Sequence, residues 1–469
     1  MYMYTNIKNN LPKVLINILK SLQEIGVKPI LVGGCVRDSL LNISNKDFDI
    51  ELFNIDSLDE VETILQKYGT VKQVGKSFGV LILNVDGYDF DFALARLEKK
   101  TGHGHRDFEV TTNSKLSFEE ASLRRDFTIN SIGYDYFEDK YLDPNGGLKD
   151  LQNKTLRHIK DETFIEDPLR VYRAIQFLAR YELTIDEKTF NLCKKIVEND
   201  ELKYLPKERI YEEFKKLFLK SNKPSLGFTL LKDLGVLKHF PELEVLVECI
   251  QDKQFHPEGD VWVHTLMTLD EMAKILKELK TGDEYRDLYL FYAILCHDLG
   301  KPFCTEITKE GRVTSHKHEA LGVEPTISFL SRLTDEKKFI EKVVPLVKNH
   351  LAPFQLYKAE SSLKAVKRLS LKCSIEDLCI VCLADCKGRT IPDKDKCDKA
   401  VSWVIEQARK MNISNEGIKS LVQGRDLISL GMKPSKEFKD ILEFALNLQI
   451  DEDLEKEQII KAIKEKFKV

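Results

Sequence analysis

Two hydrophobic periods divide the chain. In LPKVLINILKSLQEIG the apolar positions recur at helical spacing, whereas PILVGGC, DFDIELF, GVLILNV and YDFDFALA read as strands. Strands that follow one another with little helix between them after Asp47 predict an α+β head built on a mixed or antiparallel sheet. From about Asp161 the strand signals vanish. IEDPLRVYRAIQFLARY, PKERIYEEFKKLFL and PSLGFTLLKDLGVLKHF all carry helical spacing, and the pattern persists to EKEQIIKAIKEKFKV, an amphipathic charged helix. There is no internal repeat and no low-complexity linker. The expectation is a small α/β head on a long helical body.

Length and composition add limits. A chain of 469 residues suggests two to four domains, and 32% charged with 42% hydrophobic residues is the balance of an ordinary soluble protein. No apolar run reaches membrane-span length, so no membrane partner is expected. MYMYTNIKNN lacks the charged and apolar regions of a secretory signal, which makes the cytoplasm the expected location. A net charge of −4 does not advertise nucleic-acid binding, although Pro206 to Pro224 and Ser361 to Lys372 are basic; a solvated helix face accounts for each taken alone. The ten cysteines are irregularly spaced, which predicts reduced thiols rather than a disulfide framework. Cys379, Cys382 and Cys386 share one helical face and are expected in a core, since the CxxC has no second pair to complete a zinc site.

The stretch LVGGCVRDSLLNISNKDFDIE, Leu31 to Glu51, reads as strand, glycine turn and helix, then a second strand. Gly33 and Gly34 open a helix N-terminus, where exposed N–H groups suit a phosphate. Asp47 and Asp49 fall on one strand face, and two such carboxylates repel unless a cation lies between them. A divalent metal beside a phosphate turn is the apparatus of phosphoryl or nucleotidyl transfer. Asp89 and Asp91 alternate in the same way; they either complete that carboxylate set or lie on an exposed edge.

LEKKTGHGHRDFEV has the composition of a mobile loop over a polyanion. In RRDFTINSIGYD, arginines beside Asp126 and Asn130 suit a triphosphate and ribose hydroxyls, with a surface ion pair as the plain alternative. In EDPLRVYR, Asp167 and Arg170 are three apart and, on a helix, would be neighbours. An intrahelical ion pair is the ordinary reading. The chemical alternative is a carboxylate accepting from an exocyclic amino group while a guanidinium donates to the adjacent bare ring nitrogen. Cytosine and adenine present that order, whereas guanine and uracil present the reverse.

GGCVRDSLL, DFDIE, RRDFTINSIGYD, LDPNGGLKDLQNKTLRHI and EDPLRVYRAIQFLARY, in this order, resemble the class II CCA-adding tRNA nucleotidyltransferases and the related bacterial poly(A) polymerases. The resemblance covers somewhat under half of the chain. It implies a head of the DNA polymerase beta type, with Asp47 and Asp49 catalytic and holding Mg²⁺. It further implies a triphosphate near Gly33, Gly34 and Arg37, ribose contacts near Arg125, Asp126 and Asn130, and Glu166, Asp167 and Arg170 as an amino-acid template with Arg173 nearby. The family commonly has arginine where this chain has Gln176.

Beyond the neck, most histidines fall in HPEGDVWVHTLMTLD, YAILCHDLGKP, TSHKHEALG and NHLAPF, followed by LADCKGR. A His-Asp dyad on an apolar helix, with an earlier histidine and a later aspartate, is a set suited to a divalent metal. It resembles the HD phosphohydrolase superfamily, which implies His264, His297, Asp298 and Asp385 as ligands of a transition metal such as Ni²⁺, Mn²⁺ or Co²⁺. His297 and Asp298 would be catalytic, His316, His318 and His350 candidates for a second metal or the phosphate, and Lys301 a phosphate contact. The whole is similar to the multifunctional CCA-adding enzymes of some bacteria, implying 2′,3′-cyclic phosphodiesterase, 2′-nucleotidase and phosphatase activities with tRNA, CTP and ATP as partners. The expected domains are a head at 1–150, a neck at 151–250, an HD domain at 251–395 and a helical tail at 396–469, the last holding the tRNA elbow. The rivals are a CC-adding or A-adding enzyme, a poly(A) polymerase, or an HD phosphohydrolase regulated by a nucleotide-binding head. The oligomeric state is not legible.

Overall fold

The computed structural model describes residues 7–74, 79–100, 108–390 and 395–468. They form two compact units, Met1–Leu217 with Leu226–His239, and Phe218–Ser225 with Phe240–Val469. The first unit holds β1 (Lys28–Val32), β2 (Asp47–Phe53), β3 (Val71–Val74), β4 (Val80–Val85), β5 (Tyr88–Leu94), β6 (Arg96–Lys100), β7 (Phe108–Thr112), β8 (Gly133–Asp135) and β9 (Lys140–Leu142). Seven of these make one sheet in the order β3-β4-β5-β2-β1-β8-β9. Only β2 and β5 run parallel, so the sheet is mixed, as the strand succession predicts.

Alternation along β2 sends Phe48, Ile50 and Leu52 to one face and Asp47, Asp49, Glu51 and Phe53 to the other. On the carboxylate face, Ile30, Val32, Phe53, Ala95, Leu116 and Ala121 form a small core that leaves the Asp47 end open. The amphipathic helix Lys13–Glu24 buries Leu15, Ile18, Leu19 and Leu22 and packs on β1 and on helix Asp59–Leu65. The loop expected over a polyanion is flanked by β6 and β7, which pair with each other; its centre, 101–107, lies outside the described residues.

Strands do not vanish after Asp161. β11 (Thr184–Ile185) pairs in parallel with β10 (Thr155–Leu156), and β12 (Thr305–Ile307) forms a hairpin with β13 (Val313–Ser315). Pairings of two or three residues are too short to carry a period. The segment IEDPLRVYRAIQFLARY is also two helices, Asp161–Glu166 and Leu169–Tyr181. Pro168 drives the preceding Asp167 into extended backbone, with φ −119° and ψ 95°, so Asp167 lies in the break rather than on a helix with Arg170.

In the second unit, helices Val261–Leu279, Glu284–Cys296, Lys337–Asn349 and Ile375–Lys387 pack together. Cys379, Cys382 and Cys386 are buried on the last of these, as their spacing predicts. Cys386 is nevertheless bonded to Cys397, while the other eight cysteines are free thiols. One bond corrects the expectation of thiols throughout: the turn after Lys387 brings helix Asp395–Lys410 back against Ile375–Lys387, which spacing in sequence does not show. The tail helices Glu437–Asp451 and Lys456–Phe467 close over Ile441, Ala445, Ile459 and Ile463.

Candidate active sites

The glycine turn and the carboxylate strand meet at one point. Gly33 has φ +72°, and a Cβ there would stand 3.2 Å from Asp49 Oδ2 and 3.3 Å from Arg125 Nη1. The backbone conformation requires glycine, and an added Cβ would also press the tips of both side chains aside by a few tenths of an ångström. Register places Asp89 beside Asp47 and Asp91 beside Asp49, so four carboxylates share one face of two parallel strands. The Asp49 carboxyl is held above the ordinary range by lost hydration, with Asp47 adding to the effect and Arg125 and Arg37 opposing it. Asp91 is raised by lost hydration and then by Asp49. Such a set favours a hard divalent cation.

The arginines of RRDF are not a surface ion pair. Arg124 Nη2 reaches Glu51 Oε1 at 2.8 Å and Arg125 Nη2 reaches Oε2 at 3.1 Å. Glu51 is 2% exposed; burial pushes its carboxyl up, but Arg125 and Arg124 outweigh this and hold it below the ordinary range. Arg125 Nη1 also donates to the Asn130 carbonyl at 3.4 Å, and the Asn130 amide donates to Asp126 Oδ1 at 2.9 Å. Asp126, buried, takes two donors from Arg173, Nε at 2.7 Å and Nη2 at 2.6 Å. Arg37 donates to Asn130 Oδ1 and to Asp38 Oδ1, with its guanidinium 4.6 Å from the centre of the Tyr181 ring and 5.2 Å from that of Phe177. Hydrogen bonds thus run from Arg125 through Asn130 and Asp126 to Arg173, and Asp49 is drawn electrostatically to the Arg125 end.

The base-reading candidates adjoin this network. Arg170 donates to the carbonyls of Thr163 at 2.9 Å and Arg124 at 2.6 Å, which fixes its fork beside the arginine pair. Asp167 Oδ1 accepts from the Leu169 N–H at 3.2 Å, and Oδ2 lies 3.3 Å from Arg209 Nη2. Glu166 is half-buried at the end of its short helix. Gln176, where the family commonly has arginine, is 1% exposed, and its Oε1 has no hydrogen-bond partner.

The second constellation gathers histidines from four segments. His264 Nε2 is 3.0 Å from Asp385 Oδ1 and 3.4 Å from His297 Nε2, and His297 Nε2 is 3.2 Å from Asp298 Oδ2. On the other side of Asp298, His318 Nε2 is 3.4 Å from Oδ1 and 3.3 Å from His350 Nε2. His297, His318 and His350 each turn Nδ1 to the backbone carbonyl three residues earlier, at 2.6, 2.8 and 2.7 Å. In the neutral ring that places the proton on Nδ1 and turns the Nε2 lone pair toward the other rings. Burial and the neighbouring His297 and His318 push His350 down to about 3, so its ring is neutral near pH 7. Paired bare imidazole nitrogens with interleaved carboxylates fit divalent metal in two donor sets, His264, His297 and Asp385, and Asp298, His318 and His350. His316 is exposed and belongs to neither set.

Sequence reading missed the residues that surround these ligands. Glu258 Oε1 accepts from Nδ1 of His264 and of His256, both at 2.9 Å, and Arg389 Nη2 binds Asp385 Oδ2 at 2.9 Å. Lys301, expected at a phosphate, is buried with Nζ 2.7 Å from Asp298 Oδ2 and 2.6 Å from Gln251 Oε1. A cavity of about 210 Å³ opens on the cluster between Phe255, His318, His350 and Leu351.

The comparisons with known proteins follow this division. Residues 30–157 match the Poly A polymerase head domain, 182–246 the probable RNA and SrmB-binding site of polymerase A, and 261–387 the HD domain. A Multifunctional CCA protein of Mannheimia succiniciproducens is 33% identical over 87% of this chain and 97% of its own length. That of Xanthomonas campestris is 35% identical over 77% of this chain and 86% of its own. The chain belongs to the multifunctional CCA protein family. Among solved structures, a CCA-adding enzyme in complex with CTP aligns over 99% of both chains with TM-score 0.62 and 20% identity. The Thermotoga maritima CCA-adding enzyme complexed with tRNA aligns over 98% of this chain and 97% of its own with TM-score 0.59 and 20% identity, a likeness of fold. The nucleotidyltransferase head and HD domain of this family imply divalent metal use, for which the two carboxylate-bearing sites are suited. Among the described residues no helix is long and apolar enough to cross a membrane.

Proposed function

We propose that the chain is a template-independent nucleotidyltransferase that adds C, C and A to tRNA 3′ ends from CTP and ATP, and that its second site hydrolyses phosphoesters, 2′,3′-cyclic phosphate among them, at damaged RNA ends. The observation that supports the first half is the four-carboxylate face of β2 and β5 next to the bonded chain from Arg125 to Arg173, beside which Asp167 and Arg170 stand. In this reading Asp47 and Asp49 would hold Mg²⁺, and the ion, when bound, would supply charge to neutralise the triphosphate and lower the pKa of the 3′-hydroxyl. The tRNA 3′-hydroxyl loses its proton to water or to a carboxylate of the set, its oxygen attacks the α-phosphorus in line, and the bond to the α,β-bridging oxygen breaks as pyrophosphate leaves. Gly33 and Gly34 admit the triphosphate to the backbone, with Arg37 and Arg125 as fixed positive charge and Asp126 and Asn130 toward the ribose. Asp167 accepts from the exocyclic amino group of cytosine or adenine while Arg170 donates to the ring nitrogen, with Glu166 and Arg173 beside them.

The second half rests on the two donor sets, one containing Asp298 and the other meeting it through His297, which fit two divalent ions such as Ni²⁺, Mn²⁺ or Co²⁺. Metal there would supply an activated water and neutralise phosphate charge. Lys301 and Arg389 orient the carboxylates, and the cavity at Phe255 receives the RNA end. The cytoplasm is the proposed location.

The deciding experiment offers tRNAs ending before CCA, after C and after CC, with labelled CTP and ATP, to wild type and Asp47→Ala. Stepwise addition on all three by wild type alone is expected. No incorporation on any tRNA sinks the reading, and ATP incorporation confined to the CC-ending tRNA selects an A-adding enzyme.

A further inference from the structure

Arg209 falls in the basic run Pro206 to Pro224, read from sequence as a solvated helix face, yet its side chain ends at the proposed base-reading carboxylate. Arg209 and Asp167 both belong to the first unit; Arg209 rises from the first turn of helix Lys207–Lys220, and its Nη2 stands 3.3 Å from Asp167 Oδ2 across a separation of 42 residues. Side-chain exposures of 32% for Arg209 and 23% for Asp167 put the contact between surface and core, where water screens it only in part. One turn further along the same helix, Glu213 is 4% exposed and acts on Arg173, the guanidinium that Asp126 grips. The helix therefore sets a cation against Asp167 and an anion near Arg173, a charge pattern complementary to the two residues on either side of Arg170.

We propose that Arg209 is a positioning residue for base selection: it holds the Asp167 carboxylate in the one orientation from which an oxygen can accept the exocyclic amino group of cytosine or adenine. The inference rests on the reading that Asp167 and Arg170 select the base. An ionised carboxylate offers about four lone-pair positions. The Leu169 N–H takes one and Arg209 another, so acceptor capacity remains while both oxygens are anchored. Without Arg209 a single N–H holds the group, and the side chain spreads over other rotamers. Cytosine and adenine then lose a placed acceptor. Uracil and guanine, which present a carbonyl at that position, have none to lose.

The test measures CTP, ATP and UTP incorporation on matched tRNAs by wild type, Arg209→Ala, Arg209→Lys, Asp167→Ala and the double variant, with thermal melts as the check on folding. Arg209→Ala is expected to raise KM for CTP and ATP about tenfold, the size of one placed charge-assisted hydrogen bond, with a smaller change in kcat. The preference for CTP over UTP narrows by a similar factor. Arg209→Lys, a point charge without the fork, falls between, and carries the test if the alanine variant melts early. In the Asp167→Ala background, loss of Arg209 adds nothing. An unchanged CTP-to-UTP preference in a folded Arg209 variant, or fully additive effects in the double variant, overturns the proposal. If Asp167→Ala itself keeps the preference, the base reading falls and this inference with it; if Asp167→Ala loses it and the Arg209 variants do not, only the role of Arg209 falls.

Discussion

Asp49 and Asp91 stand side by side in the register of β2 and β5, and the proximity of Asp49 helps hold the Asp91 carboxyl above its ordinary range. A group held up by a like charge is one that a cation relieves. Asp91→Asn is therefore expected to raise the Mg²⁺ concentration needed for half-maximal CTP incorporation about tenfold, a magnitude typical of groups supporting a metal site. A Mg²⁺ titration of initial rates checks it, and an unchanged midpoint makes Asp91 a bystander on the strand.

Two glycines separate strain from crowding. Gly33 and Gly26 both have positive φ, +72° and +82°, but a Cβ meets Asp49 and Arg125 at Gly33 and nothing within 4 Å at Gly26. Alanine in left-handed backbone costs about 1–2 kcal/mol, and Gly33, with ψ −131°, lies outside that basin, so its strain is the larger of the two. If Asp49 holds the metal as proposed, only Gly33→Ala should also lower nucleotide incorporation, by at least about tenfold, because the added Cβ displaces that carboxylate. Comparing rates and thermal midpoints of the two variants decides the matter; equal losses of activity would remove Gly33 from the site.

Glu51 links acid stability to the head. Its folded pKa lies below the unfolded value of about 4.3, so its stabilisation is complete above that value and is lost as pH falls through the lower folded one. Asp126, held down against its burial by Arg173 and Arg170, has the same sign. Hydrogen-exchange protection of β1 and β2 is expected to hold near pH 5 and to decline below about pH 4. Both tryptophans, Trp262 and Trp403, are in the second unit, so peptide-level exchange is the right probe for the first. Glu51→Gln leaves two arginines without their counter-charge; it should cost up to about 3 kcal/mol at neutral pH and flatten the acid dependence.

The second site predicts a metal count. Wild type should bind two Mn²⁺ in the HD domain, His350→Ala one, with cyclic-phosphate hydrolysis reduced at least a hundredfold, while CCA addition persists in both. Calorimetric titration with Mn²⁺, alongside parallel assays of the two activities, reads this directly. An unchanged count in the variant excludes His350 as a ligand.

What the sequence conveyed was whatever repeats locally. The alternation of DFDIELF places its carboxylates on one face, and the register confirms the strand. The EDPLR spacing was misleading because one proline moved Asp167 out of the helix. Arg209 was invisible because its partner is 42 residues away, and Glu51 because nothing in a strand period says that its carboxylate is buried against two arginines. The Cys386–Cys397 bond, similarly, depends on how two helices return against each other.

The three histidine tethers have a consequence for heredity. Rings at His297, His318 and His350 take their orientation from main-chain carbonyls of Ile294, Ser315 and Val347, and no codon change can delete a carbonyl. His264 is different, since its ring is set by the side chain of Glu258. Drift in the surrounding sequence can therefore detune the histidine–carboxylate cluster at one corner, while the other three rings keep their orientation for as long as the local backbone keeps its shape.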